Sequence, residues 1–234
     1  MNPKDKVVLV TGGTQGIGLE TAKLLKTKGA TVIITARDQS RLDRVGKEFD
    51  LLSIRGDVSK EDDVRKIYSF VQDQTDHLDA LINNAGYGYF DKLEDIQVEK
   101  FNRVFATNVT GAMMMAREAT KIFKRQQYGN IVNISSTAGL RGGAGGTAYS
   151  ATKFALKAMT ECWRAELRKD NIRVMLINPS EVQTNFTVNS GHKQREFNPT
   201  KLQGIDIAHA ICSALEMEDR GFITELTVFA TNPQ

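Results

Sequence analysis

The chain is poor in the residues that build metal centres and cross-links. Of its 234 residues two are cysteine and three histidine, and neither Cys-x-x-Cys nor His-Glu-x-x-His occurs. With Cys162 and Cys212 in apolar helical patterns and His77, His192 and His209 scattered, no metal site is expected, and both thiols are expected to be reduced and buried. Proline is scarce at 4 residues, and no linker, low-complexity tract or internal repeat divides the chain. Charge of one sign is also lacking: 31 Lys and Arg against 28 Asp and Glu leave +3. No run of five like charges occurs, which speaks against nucleic-acid or membrane-surface partners. Long hydrophobic runs are missing too. Residues 1–6 lead into only four apolar residues, 7–10, too short for a signal segment or a membrane span, so a cytoplasmic protein is expected. What is there is 41% hydrophobic and 25% charged, enough to bury roughly 70% of the unfolded surface at this length. That composition excludes disorder and a disulfide-stapled miniprotein, and the length suits one α/β domain over residues 1–234.

Short apolar runs rich in β-branched residues recur at 7–11, 31–35, 51–54, 80–82, 130–134 and 173–177, with a weaker seventh at 225–229. Helical patterns separate them. Ile17, Thr21, Leu24 and Leu25 mark one helical face that Gly29 stops, and 39–49, 60–75, 100–124 and 148–168 are expected helices, Ser59 capping the third of these five. Strand and helix alternate, and the strand runs are apolar throughout. This predicts a parallel sheet covered on both faces, doubly wound or closed as a barrel. Residues 180–203 are polar with little periodicity, and are expected as a mobile lid or an insertion with short helices beyond a strand's carboxyl end, where ligands bind.

The first strand ends in Thr11-Gly12-Gly13-Thr14-Gln15-Gly16-Ile17-Gly18 and passes straight into a helix. Glycines there let the backbone turn tightly and approach a pyrophosphate, Gly18 permits close helix-sheet packing, and the helix start offers free N–H groups and partial positive charge. The spacing is G-x3-G-x-G, not the broader G-x-G-x-x-G. About twenty positions on, where an acid would hold the 2′-hydroxyl of an adenosine ribose, stand Ala36 and Arg37. An arginine there pairs with a 2′-phosphate, favouring NADP(H) over NAD(H), although Arg37 also reads as a solvated loop residue beside Asp38. Tyr149 and Lys153, four apart at the start of a helical pattern, share one face. A nearby ammonium together with a cationic oxidised nicotinamide is expected to lower the phenol's pKa toward the range of a general acid/base. With 5 tyrosines in 234 residues, chance predicts about 0.4 such pairs, so the pair alone decides nothing.

Its company resembles the short-chain dehydrogenase/reductase family from residue 7 to about 184. Four elements stand in the family's order: Thr11 to Gly18, then Asn83-Asn84-Ala85-Gly86, then Ser136, then Tyr149-x3-Lys153. The resemblance implies a Rossmann-type seven-stranded doubly wound sheet and hydride transfer between a nicotinamide and a carbonyl or alcohol. By that resemblance Tyr149 is the proton donor in reduction, and Lys153 holds the nicotinamide ribose and depresses the phenol's pKa. Ser136, rather than Ser135, binds the substrate oxygen, and Asn108 continues a proton relay behind the lysine. Gly12, Thr14, Gln15, Gly16, Ile17 and Gly18 are the phosphate loop; Asp57 and Val58 contact adenine; Asn84, Ala85 and Gly86 bring backbone close to its ribose; Pro179 and Thr184 touch the nicotinamide end. Read without the resemblance, Asn108 could cap a helix kink and Asp57 could serve a helix dipole.

Two departures stand out. Ser180 replaces the family glycine after Pro179, which puts the backbone there in question, and the C-terminus lacks the Asp-Gly-Gly of close 3-oxoacyl carrier-protein reductases. The expected substrate is a small-molecule carbonyl: a 3-oxoacyl thioester, a small or xenobiotic carbonyl, or a pterin side chain as in sepiapterin reductase relatives. A non-catalytic NADP-binding sensor is the contrasting class, against which the intact Asn108, Ser136, Tyr149 and Lys153 argue. The pocket is expected among Ser136, Tyr149, 140–146 and 180–203, with a mouth left open by Gly139, Gly142, Gly143, Gly145 and Gly146. A homodimer or homotetramer is implied by resemblance, formed through the two long helices, with Met113, Met114, Met115, Trp163 and the small-residue stripe Ala151, Ala155, Ala158, Cys162 and Ala165 suiting such a face or an ordinary core.

Overall fold

β1 (Val7–Thr11) is buried at every residue, and its side chains divide between two cores. Val8 and Val10 point to one face of the sheet, Val7 and Leu9 to the other, because successive side chains of a strand alternate. The computed structural model describes residues 1–191 and 196–232. From β1 the chain runs through α1 (Gly16–Thr27), β2 (Thr31–Ala36), α2 (Gln39–Phe49), β3 (Leu52–Arg55), α3 (Glu61–Gln74) and β4 (Ala80–Asn83). It continues through α4 (Val98–Phe105), α5 (Ala112–Gln126), β5 (Gly129–Ile134), α6 (Thr147–Leu167) and β6 (Ile172–Pro179). It then passes β7 (Val182–Gln183), α7 (Phe186–Asn189), β8 (Leu202–Gln203) and α8 (Gly204–Glu216) to β9 (Glu225–Val228).

Seven strands form one parallel sheet in the order β3-β2-β1-β4-β5-β6-β9. It is open at β3 and β9, so of the two arrangements strand periodicity allows, the doubly wound one is adopted and the barrel is not. Leu25 of α1, Leu42 of α2 and Ile207 and Ile211 of α8 cover one face; Ile67 of α3, Met115 and Phe123 of α5 and Leu167 of α6 cover the other. The order reverses between β1 and β4, and the loops leaving their carboxyl ends part there, opening a crevice.

Several expectations change. The expected helix 100–124 is three pieces, since a π-helical turn, Ala106–Gly111, separates α4 from α5. Helix α3 starts after Lys60, and the Ser59 hydroxyl donates instead to Asp57 Oδ1 at 2.7 Å. Glu61, Asp62 and Asp63 in the first turn complement the helix dipole in place of a side-chain cap. Helix α8 is not among the expected helices, although Ile207, Ala208, Ile211, Cys212 and Leu215 form one buried face opposite Asp206, His209, Ser213 and Glu216; its start is marked by a Gln203–Asp206 capping box. Met114 and Met115 are core residues, whereas the stripe from Ala158 through Cys162 to Ala165 faces outward, so Cys162 is exposed and only Cys212 is buried. Residues 180–203 hold short α7 and a two-residue parallel pairing of β7 with β8, pinned by a Glu181–Lys201 ion pair of 2.8 Å. Positions 192–195 of that expected lid, His192 among them, and 233–234 lie outside the described residues. Among the described residues no helix is long and apolar enough to cross a membrane.

Candidate active site

The crevice at the switch point has a volume of about 1170 Å³. Every residue expected at the site lines it except Gly18 and Asn108. At its floor Gly12 adopts φ +65°, open to glycine at little cost, and a Cβ on Gly18 would stand 2.5 Å from the Gly12 carbonyl oxygen. That contact is why α1 can start so close beneath the loop. No side chain caps α1, so its N-terminal dipole faces the crevice.

The loop is fastened to β4 by Thr11 and Asn84. The Thr11 hydroxyl accepts from the backbone N–H groups of Asn84 and Ala85, each at 3.0 Å, and Asn84 Nδ2 donates to the carbonyls of Thr11 and Gly12 at 2.9 and 3.2 Å. Thr11→Val keeps the shape but orphans the Ala85 N–H, the Asn84 N–H keeping the Ile82 carbonyl at 3.0 Å, and should lower unfolding free energy by about 1 kcal/mol. A urea titration with unchanged slope and a lower midpoint checks this.

At the end formed by β2 and β3, Arg37 and Arg41 both line the crevice. The neighbouring Asp38 caps α2, its carboxylate accepting from the Arg41 N–H at 3.0 Å. The Arg41 guanidinium donates to Gln15 Oε1 at 2.6 Å, which also accepts from Asn185 at 3.3 Å. Asp57 accepts from both the N–H and the hydroxyl of Ser59, forming the turn before α3, and still lines the crevice beside Val58.

At the other end β5 delivers Ser135 and Ser136, and α6 delivers Tyr149 and Lys153. Ser135 also lines the crevice, but it is buried and its hydroxyl is turned to the Lys153 carbonyl at 3.4 Å. Ser136 lies within hydrogen-bonding reach of the Tyr149 phenol. Lys153 Nζ donates to the Ile134 carbonyl at 2.8 Å and stands 5.6 Å from the Tyr149 ring centroid. Burial pushes the phenol up to about 12, partly offset by Ser136, and pushes the ammonium down to about 8. The expectation of a depressed phenol is therefore corrected for the protein alone: burial of the phenol dominates, opposed by the Ser136 hydrogen bond. A phenol raised in this way is fully protonated at neutral pH.

Asn108 sits in the π-helical turn, a frequent feature of functional sites. Its side chain accepts from the Tyr87 N–H at 3.1 Å and donates to the Tyr87 carbonyl at 2.9 Å and the Thr152 hydroxyl at 3.1 Å. It thus ties the β4–α4 connector to the helix bearing Tyr149. Ser180 adopts no positive φ, and its N–H donates to Val228 O at 2.9 Å. The missing glycine therefore causes no strain at that position. Thr184 packs over Gly16, where an added Cβ would come within 3.2 Å of it. Residues 140–146 do not line the crevice; space around Gly142 and Gly143 opens to solvent instead.

The glycine-floored crevice, with two arginines at one end and a Ser-Tyr-Lys cluster at the other, suits a dinucleotide. The sequence model of the short chain dehydrogenases matches residues 6–195. The chain belongs to the short-chain dehydrogenase family. It is 32% identical over 230 residues to an uncharacterized oxidoreductase of Staphylococcus aureus (strain MRSA252), covering 96% of each chain. Among solved structures it is similar to an alcohol dehydrogenase of the archaeon Thermococcus sibiricus complexed with 5-hydroxy-NADP, with TM-score 0.90, 25% identity and coverage of 99% and 100%. It is also similar to a 3-ketoacyl-(acyl-carrier-protein) reductase of Brucella melitensis complexed with NADH, with TM-score 0.89, 27% identity and coverage of 98% of each.

As a short-chain dehydrogenase the chain is an oxidoreductase. Among the crevice residues not singled out in the sequence are Arg41, Phe90 and Phe186. Arg41 follows Arg37 by four positions and so by one helical turn, a signal that was available. Phe90 lies in an irregular connector and Phe186 opens the four-residue α7, too short for a periodicity to mark it.

Proposed function

We propose that this protein is an NADP(H)-dependent reductase of a small-molecule carbonyl, running in reverse as an alcohol dehydrogenase. The observation that carries the reading is the cluster of Ser136, Tyr149 and Lys153 at the end of the crevice remote from Arg37 and Arg41. When bound, the nicotinamide supplies or accepts the hydride. Ser136 holds the substrate oxygen, Tyr149 protonates it as charge develops there, and Lys153 holds the nicotinamide ribose hydroxyls. Asn108 keeps the relay behind Lys153 in register through Tyr87 and Thr152. The phosphates rest on Gly12, Thr14, Gln15, Gly16, Ile17 and the α1 start that Gly18 permits. Asp57, Val58, Asn84, Ala85 and Gly86 flank the adenosine, and Pro179 and Thr184 the carboxamide.

Preference for NADP(H) is supported by two arginines at the ribose end and by a neighbouring carboxylate, Asp38, already committed to capping α2. Two copies are proposed to pair through α5 and α6, the outward small-residue stripe of α6 suiting a close helix contact; sedimentation at the monomer mass of 25.9 kDa would remove that pairing. The reading as a whole is tested by NADPH and NADH titration followed by turnover of a carbonyl panel: a 3-oxoacyl thioester, a diketone, an aromatic aldehyde and sepiapterin. Tight NADPH binding without reduction of any of them counts against it.

The pH dependence follows from the two shifted groups. Carbonyl reduction should hold steady to about pH 8 and then fall as Lys153 loses its proton, since the phenol stays protonated far beyond. Alcohol oxidation, which needs the phenolate, should climb over the same range. Initial rates in both directions from pH 6 to 10 decide this. Stability carries the opposite mark. Because the folded-state pKa of Lys153 lies below its ordinary 10.5, at about 8, the folded protein binds fewer protons than the unfolded one between these values, and stability gains from this residue as pH rises through that window. Lys153→Met should therefore raise the thermal midpoint at pH 7 while removing turnover.

A further inference from the structure

Tyr149 does not face an open cleft. Its ring packs against both Phe90 and Phe186, with centroids 5.3 Å away from each and interplanar angles of 51° and 56°. Phe90 comes from the β4–α4 connector and Phe186 from α7. These two segments are joined where the Gly88 N–H donates to Ser190 Oγ at 3.0 Å, and a Cβ at Gly88 would collide with both the Phe90 ring and that hydroxyl. The phenol is only 8% exposed while Phe90, at the rim, is 37% exposed. Beside Tyr149 the crevice is lined by the Phe90 and Phe186 rings, by Ser136 and Thr137, and by Lys153, whose ammonium is turned to the Ile134 carbonyl. The carboxylate nearest in sequence to this end, Glu181, is paired with Lys201.

We propose that the substrate is an uncharged compound with a flat conjugated ring bonded to its reacting carbonyl, and that Phe90 and Phe186 grip this ring in tilted or offset contact. The assignment rests on the reductase reading and names its substrate class. A ring entering between the two phenylalanines exchanges one set of edge-to-face contacts for another, so little is lost when the roof parts. Its carbonyl then reaches Ser136 and Tyr149. The C=O π bond breaks, hydride from the reduced nicotinamide forms the new C–H bond, and the Tyr149 proton forms the O–H bond, leaving an aryl carbinol and the oxidised dinucleotide. A flexible 3-oxoacyl chain offers these rings no π-face and loses more rotamer freedom on binding. Specificity thus sits in two segments that are remote in sequence and that the glycines of 140–146 do not touch.

A matched pair of diketones tests this with the intact protein and NADPH: 1-phenyl-1,2-propanedione and 2,3-pentanedione, which differ in phenyl against ethyl. The phenyl compound should show the higher kcat/KM by about tenfold, and Phe90→Leu and Phe186→Leu, which keep apolar bulk but remove a ring, should each cut that ratio about fivefold. Phe186→Tyr, which keeps the ring, should keep the ratio. Equal kcat/KM for the two diketones, a preference for the aliphatic one or for a 3-oxoacyl thioester, or leucine variants with the parent's ratio would overturn the ring assignment and leave the reductase reading standing. Absence of turnover with every carbonyl would overturn both.

Discussion

Tyr149→Phe should lower kcat for carbonyl reduction by about a thousandfold, the span a positioned general acid contributes, while NADPH still binds. The ring keeps its contacts with Phe90 and Phe186, and only the hydroxyl is lost, together with its hydrogen bond to Ser136. Removing the hydroxyl also removes a buried polar group raised to about 12 by desolvation, so the fold should not suffer. The measurement pairs single-turnover reduction with fluorescence titration of NADPH. A variant that turns over like the parent would refute the role given to the phenol; one that neither binds nor turns over would point to a collapsed crevice. Ser136→Ala should show the same pattern with a smaller loss, since its oxygen holds the substrate and tunes the phenol but donates no proton to product.

Replacing Arg37 and Arg41 together by alanine should shift selectivity between NADPH and NADH by about a hundredfold toward NADH, since each charge-assisted contact with a 2′-phosphate is worth roughly a factor of ten or more. The two residues differ in how they are held. The Arg37 backbone carbonyl accepts from the Arg55 guanidinium at 3.1 Å, which leaves its own side chain to the crevice, whereas the Arg41 guanidinium is presented by Gln15. Affinity for 2′,5′-ADP against 5′-AMP, measured by calorimetry, isolates the effect from catalysis. If the single Arg37→Ala change accounts for the whole shift, Arg41 serves only to brace Gln15. If neither change alters the ratio, the preference for NADP(H) falls.

Much of this could be read along the chain because the signals were local. A strand ending in Gly12, a helix starting near Gly16 and a Tyr149–Lys153 spacing of one turn are each set by backbone geometry over a few residues. Seven β-branched runs were enough to count the strands of the central sheet, though not the two-residue β7 and β8, and the α2 bounds were legible because Asp38 and the following amphipathic face are near neighbours. Other features were hidden for equally physical reasons. The π-helical turn at Asn108 leaves the sequence pattern of a long helix intact while changing its register by one residue. The exposure of Cys162 depends on which side of α6 meets the sheet. The depressed phenol expected from the Tyr149–Lys153 pair became a raised one because burial of the phenol could not be weighed from spacing.

The sequence by itself determined the element order, the family and the chemical types gathered at the site, because these follow from periodicity and from motifs a few residues long. Only the tertiary structure decided that Arg41 reaches Gln15 and that Phe90 and Phe186 pack against Tyr149 from positions 96 residues apart. Such contacts are chosen by how whole elements pack around two cores, and that packing energy is summed over residues with no common place in the sequence.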